Sequence, residues 1–301
     1  MQKIVLIVGP TAVGKTSLAL RLCRDIGGEI VSADSGQVYI GMDIGTGKTD
    51  LINGGVPFHL VGVVEPTSQF DVCKFIGLAD AAISDILGRG LVPFVVGGTN
   101  FYINSLVYGI CKAPSRSEEI RSELVDTLRR HGKEALYSIL LEEDPLLAAR
   151  LHPNDTSRII RGIEVKRLSG RSLLELINTP RERRYSTLRV ALNLQRELLY
   201  RKINERVDEM IKLGLVDEVR TLVSKYGTSP SPFKAIGYKE VIAYLNGEIS
   251  LERAIYLIKR NTRRFAKRQL TWLRGEGDIE WFGPDEYDRI KKRVVDFVSK
   301  G

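Results

Sequence analysis

Cysteine is scarce in this chain, and the three present are scattered: Cys23, Cys73 and Cys111 leave no short paired spacing of the kind zinc or redox sites need. A reducing, cytoplasmic setting is therefore expected. Histidine is equally sparse, and His59, His131 and His152 form neither a metal-ligand spacing nor a triad pattern, so no function is assigned to them. Long apolar runs are missing too. The N-terminal run Ile4–Val8 stops at Gly9-Pro10, well short of the ~20 residues that cross a bilayer, so neither a signal peptide nor a membrane anchor is expected. No internal repeat or low-complexity segment interrupts the pattern.

What remains is a chain of 301 residues, 43% hydrophobic, long enough to bury a sizeable core in about one or two domains. Its net charge of +8 is unevenly spread. Residues 1–150 carry 14 Lys/Arg against 17 Asp/Glu, and residues 151–301 carry 31 against 20. Clustered cations displace counterions from phosphates, so the second half is a candidate surface for a polyanion, against the plainer reading of a solvated basic face.

Ile4–Val8 reads as a strand buried on both faces of a parallel sheet, followed by a helix from about Thr16 to Asp25 that ends at Gly27-Gly28. Glu29–Ala33, Phe58–Val64 and Leu91–Val96 are further strand candidates, with a helix over Val72–Leu87. This alternation predicts an α/β core. Between Lys112 and Pro180 strand signals vanish and charged helical patterns take over, at Ser117–Arg130, Gly132–Leu141, Pro145–Leu151 and Thr156–Leu168. Ser186–Leu194 is β-branched and alternating, which returns the chain to the sheet. The expected organisation is a core of residues 1–111 and 186–301 and a helical insertion of residues 112–185. Helices dominate the remainder. Leu199, Ile203, Val207, Met210 and Ile211 repeat at helical spacing until Gly214, residues 250–273 form a long basic helix, and a short strand follows at Ile279–Phe282.

Gly9-Pro10-Thr11-Ala12-Val13-Gly14-Lys15-Thr16 matches GxxxxGK[ST] after a strand and before a helix, the context a phosphate loop requires. Glycines let backbone amides close around a phosphate, Lys15 reaches a phosphate oxygen, and the Thr16 hydroxyl can ligate Mg²⁺. Such a loop binds a diphosphate without showing that ATP carries it. An NTPase also needs a carboxylate after an apolar strand, yet Leu91–Val96 runs into Gly97-Gly98-Thr99. Asp34 is the acid at a strand end, and spacing leaves three roles open for it: metal ligand, kinase-type base, or another function.

"GPTAVGKT", "SADSGQVYIGMDIGTGK", "GGTNFY", "RIIRGIEV", "RVDEMIKLGLVDEV", "AIGYKE" and "TRRFAKRQLTWLR" occur in the order and at about the spacing seen in bacterial tRNA dimethylallyltransferases. From about Lys3 to Trp281 the chain resembles that family. It departs at Asn100-Phe101, where the family usually has Gly-Leu, at Phe58-His59, where a paired histidine is common, and at Gly47-Lys48-Thr49, where Ala-Lys-Pro is common. The resemblance implies a P-loop NTPase-like parallel sheet core with a helical insertion domain that binds tRNA. It also implies a soluble, cytoplasmic prenyltransferase that moves a dimethylallyl group from dimethylallyl diphosphate to the N6 amine of adenosine 37, releasing diphosphate.

By this resemblance Asp34 and Thr99 are catalytic. A weakly nucleophilic adenine amine must lose a proton as the carbon–nitrogen bond forms, and a carboxylate suits that task; the Thr99 hydroxyl is expected to bond to Asp34 or to the substrate, or else to cap the following helix. Residues Gly9 to Thr16 are the diphosphate contacts, with Mg²⁺ at Thr16, and Arg206, in "RVDEM", is either a further phosphate contact or a solvated helical arginine. Expected tRNA contacts are Asp34, Ser35, Gly36, Gln37 and Thr99 near the target base, Arg121, Ser157, Arg158, Ile159, Ile160 and Arg161 in the insertion, and Lys234, Ala235, Ile236, Gly237, Tyr238 and Lys239. Tyr39 is read as packing. The helix Lys259–Arg274, with seven Lys/Arg and no acid, suits an anticodon stem, and a stacked base must be flipped out before it can be alkylated. No obligate protein partner is expected. The competing readings are a small-molecule kinase, an adenylate isopentenyltransferase and a noncatalytic RNA-binding protein. The basic second half argues against the first two, and the joint presence of Lys15, Thr16 and Asp34 argues against the third.

Overall fold

The computed structural model describes residues 1–52 and 54–299. Residues 53, 300 and 301, the last two at the end of the expected core segment, lie outside that description. The chain divides into two compact units, Met1–Tyr108 with Arg183–Gly301, and Gly109–Glu182. The second begins and ends three residues earlier than the expected insertion of residues 112–185.

The first unit is built on a six-stranded sheet whose pairings are all parallel, in the order β3-β2-β4-β1-β5-β6. β1 (Lys3–Val8) lies centrally, between β4 (Val92–Val96) and β5 (Ser186–Leu192). Its unbroken apolar run follows from helices covering both faces of the sheet. Val5 and Ile7 join the cluster of Leu18 and Leu22 from α1 (Lys15–Ile26) and Ile290 and Val294 from α13 (Tyr287–Ser299). Ile4, Leu6 and Val8 point the other way, toward Phe75 and Ile83 of α3 (Val72–Gly88) and Ile103 and Leu106 of α4 (Asn100–Tyr108). β2 (Gly28–Ser32), the short helix α2 (Thr49–Ile52), β3 (Phe58–His59) and β6 (Glu280–Phe282) complete the sheet layer and its connections.

The expected strand Phe58–Val64 stops after two residues. Leu60 adopts φ 63° and Gly62 φ 60°, left-handed conformations that an extended strand cannot hold, and pairing resumes only as a single bridge between Tyr39 and Val64. A third apolar cluster joins α9 (Arg196–Lys212), α10 (Leu215–Tyr226), α11 (Tyr238–Leu245) and α12 (Leu251–Arg274) through Val207, Val219, Tyr238, Val241 and Ile258. No helix among the described residues is long and apolar enough to cross a membrane.

The second unit is helical. α5 (Glu118–Glu143) is broken at Gly132, whose φ of 81° and ψ of −179° turn one expected helix into the next. α6 (Pro145–Ala148), α7 (Thr156–Ser169) and α8 (Leu173–Asn178) pack with it around Leu124, Leu136, Leu140, Ile159 and Ile163. Each of these four helices has a side-chain N-cap, from Ser117, Asp144, Asp155 and Ser172 in turn, a type of contact worth ~1 kcal/mol each.

Candidate active site

The site lies where the central strands end. After Val8 the chain enters the phosphate loop, in which Gly14 takes a left-handed conformation (φ 103°) and Lys15 opens α1. The Lys15 ammonium donates to the carbonyls of Gly9 (3.0 Å) and Pro10 (2.8 Å). Burial pushes its pKa down to about 8, with Asp34 pulling it back up and the like charge of Arg206 lowering it further. Three charged groups therefore interact across one small space. Arg206, on α9, reaches the loop by donating from Nη1 to Thr11 Oγ1 at 3.3 Å.

β2 and β4 deliver the second side of the site. Their exits are zipped together, Ala33 N–H bonding to Val96 O (2.8 Å) and Thr99 N–H to Ala33 O (3.2 Å). Residue 97 must be glycine for this approach, since a Cβ there would lie 2.2 Å from Ala33 O. Asp34 and Thr99 consequently leave the sheet side by side. Asp34 Oδ1 accepts from Gly36 N–H at 2.8 Å, which closes the turn that follows the strand. The Thr99 hydroxyl accepts from Ser35 N–H (3.0 Å) and donates to Ser35 Oγ (3.3 Å). Of the expected partners, the Asp34 carboxylate does not take this bond; Ser35 does, so Thr99 holds the turn that carries Asp34. Gln37 is held at both ends of its amide, by Ser32 Oγ (2.7 Å) and Thr46 O (3.2 Å).

These groups enclose a cavity of about 480 Å³. Thr11, Ala12, Lys15 and Thr16 line it from the phosphate loop, while Asp34, Ser35, Gly36, Gln37 and Thr99 line it from the sheet ends. Arg206 and the segment Lys234, Ala235, Ile236, Gly237, Tyr238 and Lys239 close further sides. Gly9, Pro10, Val13 and Gly14 shape the loop without lining the space. An apolar wall of Ile203, Val207, Met210 and Ile258 completes it. Among the described residues no group of three or more His, Cys, Asp or Glu could hold a metal ion by itself. The candidate metal donor is the Thr16 hydroxyl, at the start of α1.

Several contributors escaped the sequence reading. Thr262, Phe265, Arg268 and Gln269 line the cavity from α12, and their spacing of three and four puts them on one helix face, a signal that was available in the basic segment. Glu218 of α10 carries no outward sign of its task. Its carboxylate accepts from the amides of Asp43 (3.0 Å), Ile44 (2.6 Å) and Gly45 (3.2 Å) and from Tyr238 Oη (2.7 Å), fixing the loop that brings Thr46 and Gly47 to the cavity.

In the helical unit, the expected tRNA residues divide sharply. Ile159 and Ile160 are buried in the apolar cluster, which removes their side chains as RNA contacts. Arg121 binds the fully buried Glu164 through Nε (2.8 Å) and Nη2 (3.1 Å), and Arg161 binds the same carboxylate and the Pro114 carbonyl (2.8 Å). Ser157 and Arg158 are exposed, Arg158 pairing with Asp155 at 3.0 Å.

The chain matches the IPP transferase family model over residues 37–276 and the isopentenyl transferase model over residues 2–51. It is 45% identical over 304 residues to tRNA dimethylallyltransferase 2 of Geotalea daltonii, covering 99% of this chain and 93% of that protein. The crystal structure of the tRNA isopentenylpyrophosphate transferase from Bacillus halodurans superposes with a TM-score of 0.74 at 38% identity, covering 100% of this chain and 98% of that one. A eukaryotic dimethylallyltransferase captured acting on tRNA superposes at 0.80 and 28% identity, covering 99% of this chain and 80% of that one. A phosphate loop facing an acid across an apolar-walled cavity, on an all-parallel P-loop sheet with a helical insertion, is thus accompanied by likeness over the whole length: the chain belongs to the tRNA dimethylallyltransferase family of prenyltransferases.

Proposed function

We propose that this chain transfers the dimethylallyl group of dimethylallyl diphosphate to the N6 amine of adenosine 37 in tRNA and releases diphosphate. The observation that carries this reading is the electrostatic meeting of Lys15, Asp34 and Arg206 in a single cavity with one apolar wall. The diphosphate sits against the phosphate loop, where Lys15, Arg206 and the amides at the start of α1 stabilise the charge that grows as the allylic carbon–oxygen bond breaks. Ile203, Val207 and Met210 shelter the five-carbon chain. As the carbon–nitrogen bond forms, the amine's proton passes to the Asp34 carboxylate. Thr99 keeps Asp34 in place through Ser35.

Magnesium fits this donor set as a passenger of the diphosphate. The Thr16 hydroxyl would hold the ion from the protein side, and a bound ion would neutralise charge on the leaving group. The extruded base enters past Gln37 and the Lys234–Lys239 segment, while Arg268 and the exposed lysines meet phosphates. A tRNA substrate makes the cytoplasm the working compartment.

Incubation with labelled dimethylallyl diphosphate and unmodified tRNA bearing adenosines at positions 36 to 38, followed by digestion, tests the proposal. Isopentenyl-adenosine at position 37 is the expected product, and its absence refutes the reading.

A further inference from the structure

Gln269 is 5% exposed on a helix whose neighbouring Lys267 and Arg268 face solvent. Its amide is used at both ends. Oε1 accepts from the Thr11 N–H of the phosphate loop at 3.0 Å, and Nε2 donates to the Gly98 carbonyl, also at 3.0 Å. One planar group thereby ties the diphosphate cradle to the Gly97-Gly98-Thr99 turn, which in turn bonds to the strand exit bearing Asp34.

The chemistry of this tie is specific. It needs an acceptor and a donor on one side chain at a fixed separation, which a primary amide supplies. A carboxylate offers acceptors alone, and an aliphatic chain offers neither. The turn is shaped to match. A Cβ at residue 98 would stand 2.2 Å from Gln269 Nε2, so glycine there leaves the amide its seat. The phosphate loop and the Gly97-Gly98-Thr99 turn leave the paired strands β1 and β4, and the last sheet bond between them is Gly97 N–H to Ile7 O at 3.2 Å. Past that point Gln269 spans the gap from a residue 258 positions away in sequence.

We propose that Gln269 is a positioning residue that sets the separation between the diphosphate cradle and the Asp34 side of the cavity. This rests on the site as read under the proposed function. Transfer joins an allylic carbon held by one loop to an amine beside the other, so small changes in their spacing act directly on the reaction.

The test compares three variants of the full-length chain. Gln269→Leu keeps bulk and loses both bonds, Gln269→Glu keeps the acceptor for Thr11, and Gly98→Ala drives the amide out from the opposite side. Turnover is followed with tRNA and dimethylallyl diphosphate, and hydrogen–deuterium exchange is followed in the peptide containing Thr11. Gln269→Leu is expected to lower kcat/KM for the diphosphate ~30-fold and Gln269→Glu ~10-fold, the scale of losing one or two buried hydrogen bonds. Exchange at Thr11 should accelerate in the Leu variant and stay slow in the Glu variant. Gly98→Ala should mimic Gln269→Leu, and the double variant should be no worse than either alone.

Turnover within twofold of wild type, or effects of Gly98→Ala and Gln269→Leu that multiply, would overturn the proposal. Should Gln269→Leu fail to fold, Gln269→Glu decides alone, unchanged kcat/KM counting against. A separate arm titrates inorganic pyrophosphate into wild type and Lys15→Ala. Equal affinity there refutes the cradle and so the positioning role, even if Thr11 exchange still reports the bond.

Discussion

The helical unit and the cavity of the α/β unit use the same charged residue types for opposite ends. In residues 109–182 Arg121, Arg161 and Arg167 are already matched by carboxylates. Glu164 takes Arg121, Arg161 and the Ser117 amide, while Arg167 bridges Glu123 (3.0 Å) and Glu143 (2.7 Å). In the cavity, Lys15 bonds to main-chain carbonyls and Arg206 to one hydroxyl, and among the described residues neither has a carboxylate within salt-bridge distance. A buried cation whose charge is answered locally serves the fold, whereas one held in place without a counter-charge is available to an anion that arrives. Basic residues in a motif cannot by themselves say which of the two they are.

The sharpest way to break this comparison is at Glu164. Burial alone would raise its carboxyl pKa, but Arg121, Arg161 and the Ser117 amide overcome that and hold it at about 2, against an ordinary 4.5. Glu164→Gln leaves two guanidinium groups without their anion, and a loss of about 3–5 kcal/mol in unfolding free energy is expected from urea titration, with kcat per folded molecule little changed. The folded pKa lies below the unfolded one, so the native carboxylate stabilises the fold fully above pH 4.5, and that contribution drains away as pH falls toward 2. Wild type should show this acid loss and the Gln variant should not. A large fall in kcat with stability intact would place Glu164 among the functional groups instead.

The second effect lies in the cavity. Asp34→Asn should reduce turnover by ~10² or more while tRNA affinity stays within about tenfold, as for a lost general base. Single-turnover assays and filter binding separate the two, and unchanged turnover would remove Asp34 from the mechanism. Arg206→Ala, which deletes one proposed phosphate contact, should raise KM for dimethylallyl diphosphate ~10-fold with a modest change in melting temperature. If it instead unfolds the protein as Glu164→Gln does, the contrast between the regions fails.

Much of this was legible beforehand because its causes are local. The apolar run before Gly9 announces a doubly covered strand, the glycines and Lys15 announce a phosphate loop, and the vanishing of strand signals announces the helical unit. The remainder depends on partners remote in sequence. Nothing near Thr99 says that its hydroxyl would choose Ser35 over Asp34, because the choice is made where β2 and β4 exits meet. Ile159 and Ile160 sit between basic residues, and only the packing of α7 against α5 shows that they face inward. Glu218 and Gln269 resemble ordinary helical polar residues, since their main-chain partners lie 171 to 258 positions away. Phe58–Val64 carries good strand residues, and its failure comes from the turn at Leu60.

The smallest expected effect tests whether the cavity cation really lacks a counter-charge. Lys15 is ordinarily protonated to pH 10.5, but burial brings it to about 8 despite Asp34. The diphosphate prefers the protonated form, so raising pH through 8 discharges the ligand-free site and weakens capture. From the protonated fraction, kcat/KM for dimethylallyl diphosphate should fall about fourfold between pH 7 and 8.5, with kcat less affected because the bound anion restores the proton. The same depressed pKa makes Lys15 a cost to folding below pH 8, one that fades as pH rises toward 10.5. Lys15→Arg keeps a charge that does not titrate in this range, and its profile should lose the inflection. An inflection that survives in that variant belongs to another group, and Lys15 would then have to be counted with the matched cations of the helical unit.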